Sequence, residues 1–420
     1  MSGNGSSRDS GLELLRIVCM VLIVAYHMVG GTQDWIEYPD RWAWNLVSYH
    51  AMGLWGQAAV LCFVMITGYF MVLKRVRASK IIRLAAEVWF YSVAISAVMV
   101  WAGIAEWDWS TCLVTALPIL SREYWFVTDY IILLLLSPVL NRMLTALSRR
   151  QFGYGLAIML AVAYVCSGLM RFEFLGSIPF MVLFYSLAAY IRLHPAPVMG
   201  NRILWPVLLV LCMAYGFLLM LVMNGIYQGT GEPLLVQSED PAIAWYVVGS
   251  LAILAAIAIS PVPRKSAVLA VAAAIVLLLS YWVVMPYRGL GTRGLIEERW
   301  SILMGLAAVS MFLTFRNMHM PTIRAVNWMA GGVLGVYLVH EHWAVKDWVW
   351  SRLFEPDMLM QSDFVIAAPT AIVLLVLVCI LIDRARDLIL FRQVAKLGPV
   401  SRVSARADAA FDRILSDEDG

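Results

Sequence analysis

Charge is scarce in this chain. Of 420 residues only 14% are Asp, Glu, Lys or Arg, where a soluble domain carries roughly a quarter. That shortage excludes an ordinary soluble globule. Short segments of alternating polarity are also missing, which excludes a porin-like barrel. Cysteine is sparse: positions 19, 62, 166, 212 and 379 lie in apolar blocks and Cys112 in a connecting segment. None of these spacings suits a disulfide framework or a zinc site, and no metal site is expected. The first apolar run carries Glu13 and Arg16 and lacks a small-residue cleavage site, so it reads as a retained span. Net charge is only +3, with basic residues in short clusters between apolar blocks. That pattern fits orientation signals and lipid headgroups, and no nucleic-acid partner is expected.

What is present is apolar. Hydrophobic residues make up 62% of the chain, and mean hydropathy is +0.78. Long apolar runs read as spanning helices, because lipid offers unpaired backbone groups no partner. Such runs occur near 12–30, 51–73, 81–102, 124–144, 154–170, 177–193, 203–224, 242–260, 267–285, 300–315, 328–345 and 364–382. The expected fold is all-α, a polytopic transmembrane helix bundle of about ten to twelve spans. Residues 1–383 form one membrane domain and 384–420 a short charged tail, either an amphipathic surface helix or a solvated segment.

With a cytoplasmic N-terminus the connections alternate in charge. Inner ones carry Lys74, Arg75, Arg77, Lys80 and Arg83, then Arg142, Arg149 and Arg150, then Arg192 to Arg202, and later Arg316 to Arg324. Outer ones carry Asp34, Glu37 and Asp40, Glu106 and Asp108, and Glu355 and Asp357. This is the bias expected of a multi-pass protein in the cytoplasmic membrane. The outer segment 286–299, with Arg288, Arg293 and Arg299, departs from it.

Ionisable side chains inside spans are costly and mark candidate sites. Arg16 and His27 are eleven residues apart, about three turns plus 20°, so they share a face some 16 Å apart along the axis. Glu13, one turn before Arg16, can pair with it. Either Arg16 reaches inner headgroups and His27 makes one structural hydrogen bond, or the pair offers a phosphate dock and a titratable base. Phe63 to Phe70 includes Thr67, Gly68 and Tyr69; Glu123 to Tyr130 includes Trp125 and Asp129. The aromatics there also suit an interfacial belt. Further on, Gly331 and Gly335 form a small-residue packing pattern, and Tyr337 and His340 share a face. His340, Glu341 and His342 cannot all point one way from a helix, so they do not make a zinc cluster by themselves.

In this order the pieces resemble the membrane-bound acyltransferase 3 family, over about Leu12 to Asp383. Arg16 and His27, with ten residues between, resemble its first-helix signature. Phe63 to Phe70 resembles its Phe–x–x–x–Ser–Gly–Tyr/Phe motif, with Thr67 in place of Ser. Trp125–Phe126 with Tyr130 and Ser137–Pro138, and then Gly335 to His340, resemble two further stretches.

The resemblance implies transfer of an acetyl or other short acyl group from acyl-CoA, commonly acetyl-CoA as co-substrate, to a hydroxyl of a glycan or lipid-linked envelope acceptor. It implies that His27 is catalytic with Arg16 its companion. Arg75 and Arg77 match an Arg–x–Arg pattern for the CoA phosphates, with Lys80 and Arg83 competing for that role. Thr67, Tyr69, Trp125, Asp129, Tyr337 and His340 are the candidate substrate-binding residues. Direct transfer with His27 as base, and an acyl-enzyme on His27 or Thr67, are both open. The competing class is a transporter or flippase of a lipid-linked saccharide, which should show paired half-chains or broken helices.

Overall fold

The computed structural model describes residues 9–39, 43–166, 176–230, 299, 301–391 and 398–416. Among these every regular element is a helix and there is no strand. Helix α1 (Ser10–Thr32) starts where the Asp9 carboxylate accepts from the Gly11 and Leu12 amides, filling donors the first turn leaves open. Helices α2 (Trp44–Gly53) and α3 (Gly56–Met71) form one apolar stretch interrupted at Leu54–Trp55. Next come α4 (Ala78–Trp101), the short α5 (Trp109–Ala116, which holds Cys112) and α6 (Trp125–Ala146). Helices α7 (Arg149–Ala161), α8 (Ser177–Leu193), α9 (Leu204–Thr230) and α10 (Ile302–Arg316) follow. The chain continues through α11 (Arg324–Ala330), α12 (Val333–His340), α13 (Lys346–Leu353), α14 (Phe364–Arg386) and α15 (Gly398–Ser416).

Five of these are long and apolar enough to cross a bilayer: α1, the α2–α3 stretch, α4, α6 and α14, the last continued to Ile389. Helices α8 and α10 and residues Leu204–Leu218 of α9 are apolar but shorter. On α14 the outward face is Val373, Leu374, Val378 and Leu381, as expected of a surface solvated by lipid. The expected spans 242–260 and 267–285, and the basic segment 286–299 apart from Arg299, lie outside the described residues.

One expectation needs correction. Residues 328–345 do not form a continuous span; α11 and α12 are separated at Gly331–Gly332, and α12 ends at His340. Two adjacent glycines are poor helix formers. In addition, the Arg384 guanidinium donates to the Gly331 carbonyl at this break.

Helix α3 is the centre of the packing, lying against α1, α8 and α10. Gly68 makes this possible, because a Cβ there would run into the backbone of Tyr185 on α8. Gly335 does the same for α12 against α14, where an added Cβ would come within 2.5 Å of Asp383. The charges at the end of α14 are internally matched. Asp383 accepts from the Tyr91 hydroxyl at 2.9 Å, and Arg386 bridges Asp383 at 2.9 Å and Glu87 at 2.6 Å. The tail forms a helix, α15, docked on the start of α4: the Ser79 amide and hydroxyl each donate to Asp408 at 2.8 Å.

Candidate active site

The site is organised by two histidines from opposite ends of the chain. His340 is fully buried, and its Nδ1 lies 2.6 Å from the Val336 carbonyl, which can only accept. Nδ1 therefore carries a proton, and in the neutral ring Nε2 holds a lone pair. His27 Nδ1 sits 2.9 Å from that Nε2 and 3.0 Å from Glu341 Oε1. Both neighbours accept, so His27 Nδ1 is the protonated nitrogen and Nε2 of the neutral ring is left basic.

Why His340 and Glu341 reach one partner follows from the helix end. Glu341 is the C-cap of α12, with φ −95° and ψ 2°, so its side chain leaves the helical screw and turns back toward His27. His342 turns the other way. Its Nδ1 accepts from the Ala344 amide at 3.1 Å, and its Nε2 lies 3.1 Å from the Ser92 carbonyl and 3.2 Å from Ser96 Oγ. That ring presents a proton, not a lone pair, to Ser96, so the two are not a nucleophile–base pair. Glu123 lies beside His342 at 3.7 Å and accepts from Ser92 Oγ at 2.9 Å. Burial pushes the Glu123 carboxyl up to about 7, against the hydrogen bond from Ser92.

His27 stands between two cavities. The first, about 350 Å³ and mainly apolar, runs from Arg16 to His27 and is also lined by Thr67, Trp125, Tyr130 and Tyr337. Arg16 pairs with Glu13 at 3.1 Å, as the helical spacing predicts. Thr67 donates to the Phe63 carbonyl at 3.0 Å and meets the Tyr130 hydroxyl at 3.2 Å. Tyr337 is buried, and its hydroxyl lies against the Phe126 backbone amide. Trp125 is covered on one side by the Arg299 guanidinium, 4.6 Å from the ring centroid. The second cavity, about 440 Å³, is polar and is lined by His27, Asp34, Glu341, Lys346, Asp347 and Trp350.

The remaining candidates lie elsewhere. Asp129 is buried and held by two hydrogen bonds from Arg122, both 3.1 Å, and a third from Ser177. It lines neither cavity and ties α6 to α8. Tyr69 is on the opposite face of α3 from Thr67, bonded to Arg192 and Arg316. Arg75 lines a separate cavity of about 470 Å³ with Lys74, Arg142 and Asp412 of the tail helix. Arg83 reaches Asp387 at 3.4 Å, while Arg77 and Lys80 are exposed near Asp408. Glu341 and Lys346 complete the site and were not selected from the sequence; the adjacency of Glu341 to His340 was the available signal.

The ligand atoms of His27, His340 and Glu341 lie within 4.8 Å of one another, close enough to test for a metal. Donors around a tetrahedral zinc with 2.0–2.1 Å bonds to nitrogen sit about 3.3 Å apart. The contacts of 2.9 and 3.0 Å are shorter and suit hydrogen bonds better.

No significant match is found among curated proteins or among solved structures. The acyltransferase domain of the acyltransferase 3 family matches residues 9–266, which include Arg16, His27 and Thr67. His340 and Glu341 lie beyond the matched stretch and are brought to it by the fold. With well over half its length matched, the chain belongs to the acyltransferase 3 family.

Proposed function

We propose that this membrane acyltransferase moves an acetyl or other short acyl group from acyl-CoA to a hydroxyl of a glycan or lipid-linked envelope acceptor, with His27 as general base. The observation that carries this reading is the double contact at His27 Nδ1, to His340 Nε2 and Glu341 Oε1, which leaves Nε2 basic between two cavities.

The thioester is already activated, so the protein supplies a base and a site for the developing oxyanion. His27 Nε2 takes the acceptor's hydroxyl proton as its oxygen bonds to the thioester carbonyl carbon. The carbon–sulfur bond then breaks, and the proton passes from His27 to the departing CoA sulfur. Glu341 stabilises the transient imidazolium, and His340 fixes the ring's orientation. The Tyr337 hydroxyl, in the wall of the apolar cavity, is the candidate oxyanion donor. The apolar cavity suits the acyl-pantetheine arm, and the polar one, with its carboxylates and Trp350, suits a polyhydroxylated acceptor. With the N-terminus cytoplasmic, the donor enters past Arg16 from the inner surface, where Arg75, Arg77, Lys80 and Arg83 await the CoA phosphates. The acceptor then meets His27 from the outer side.

Oriented proteoliposomes supplied with labelled acetyl-CoA and an envelope-glycan extract test this. Label should enter the glycan when acetyl-CoA is on the side of the α15 tail and the glycan on the other. Equal labelling by a folded His27→Ala variant would defeat the proposal.

A further inference from the structure

Three helices, α3, α8 and α10, finish together on one side of the bundle. Near these ends Tyr69, Arg192 and Arg316 converge. Arg192 Nη1 donates to the Tyr69 hydroxyl at 3.1 Å, and Arg316 Nε donates to the same oxygen at 3.2 Å. Both guanidinium groups also lie against the Tyr69 ring, 5.0 and 5.4 Å from its centroid. Among the described residues neither arginine pairs with a carboxylate; the other contact of Arg316 is the Met199 carbonyl at 3.4 Å.

A phenol oxygen accepts two hydrogen bonds and donates one. Here both acceptor positions are taken by cations, which leaves the Tyr69 proton to be donated, beside the guanidinium N–H groups not used in these bonds. The result is a set of converging donors carrying two positive charges and no described anion. Helix C-termini attract cations, but that preference is met by cations standing apart and does not explain two at one oxygen. A tetrahedral oxyanion does explain it, since planar guanidinium forks match phosphate oxygens and a bound dianion offsets the repulsion between the arginines.

We propose that Tyr69, Arg192 and Arg316 form a phosphate-binding clamp, apart from the two His27 cavities, for a phosphate group presented at the membrane surface. Two sources share that chemistry: a nucleotide phosphate of acyl-CoA, which rests on the function proposed above, and the headgroup of an anionic phospholipid, which does not.

Full-length protein in phosphatidylcholine nanodiscs separates them. Affinity for CoA is measured by calorimetry, and retention of added phosphatidylglycerol by native mass spectrometry, for wild type, Arg192→Gln and Arg316→Gln. A nucleotide source weakens CoA binding by about ten-fold or more in both variants, the loss expected for a charge-assisted bond. A lipid source lowers phosphatidylglycerol retention and leaves CoA affinity unchanged. Variants matching wild type in both arms overturn the clamp. Arg192 is exposed, so Arg192→Gln decides the matter should Arg316→Gln fail to fold. Wild type that binds no CoA would defeat the acyl-CoA reading, and the lipid arm alone would then judge the clamp.

Discussion

His27 Nδ1 lies 2.9 Å from His340 Nε2, joining residues 313 positions apart in the chain. Because the Val336 carbonyl fixes the His340 tautomer, this contact determines which His27 nitrogen is free to act as a base.

The first prediction concerns the partners of that nitrogen. Glu341→Gln keeps the shape of the side chain but loses the charge that would stabilise an imidazolium. We expect kcat to fall by roughly 10²-fold with little change in KM, since the loss is confined to the transition state. His340→Gln should lower kcat in the same way. Steady-state kinetics with acetyl-CoA checks both, and unchanged kcat in Glu341→Gln would remove the carboxylate from the mechanism.

Packing around α3 gives a second. Gly68 faces the backbone of Tyr185, which cannot yield as a flexible side-chain tip would. Gly68→Ala should therefore force α3 and α8 apart and cost about 1–3 kcal/mol. Thermal unfolding in detergent should show a lower Tm. An unchanged Tm would mean the two helices are not held at this spacing.

Glu123 sets a third. Its carboxyl moves from an ordinary 4.5 to about 7 on folding, chiefly through burial. A raised carboxyl favours the protonated form in the folded state, so its contribution is fully present below 4.5 and is lost as pH rises through about 7. Glu123→Gln imitates the protonated acid. It should remove the decline in Tm between about pH 5 and pH 8 and raise Tm at the alkaline end. A Tm profile parallel to wild type would contradict this.

How much of the site was legible in the sequence depended on which residues shared an element. Arg16, Glu13 and His27 lie on one helix, so its 3.6-residue period alone places them together, and the Arg16–Glu13 pair forms as expected. The same period could have separated Thr67 from Tyr69, since two residues turn a helix by about 200° and send them to opposite faces. Asp129 could not be assigned locally: it looks like a costly free charge until Arg122 and Ser177, the latter from another helix, close on it. Glu341 was hidden for a different reason. Its direction depends on where α12 stops, and the Gly331 carbonyl at the preceding break is met by Arg384, a residue far along the chain. The long apolar runs, by contrast, declare an all-helical membrane bundle through length and composition alone, and among the described residues five helices meet that measure.

The central claim is that His27 is the base of an acyl transfer. The most direct test is acceptor-dependent release of CoA thiol from acetyl-CoA by purified protein in nanodiscs, comparing wild type with His27→Ala. With an envelope-glycan extract as acceptor, we expect wild type to release thiol and a folded His27→Ala variant to lose at least about 10²-fold of that rate. Equal rates in the two proteins would contradict the assignment of His27.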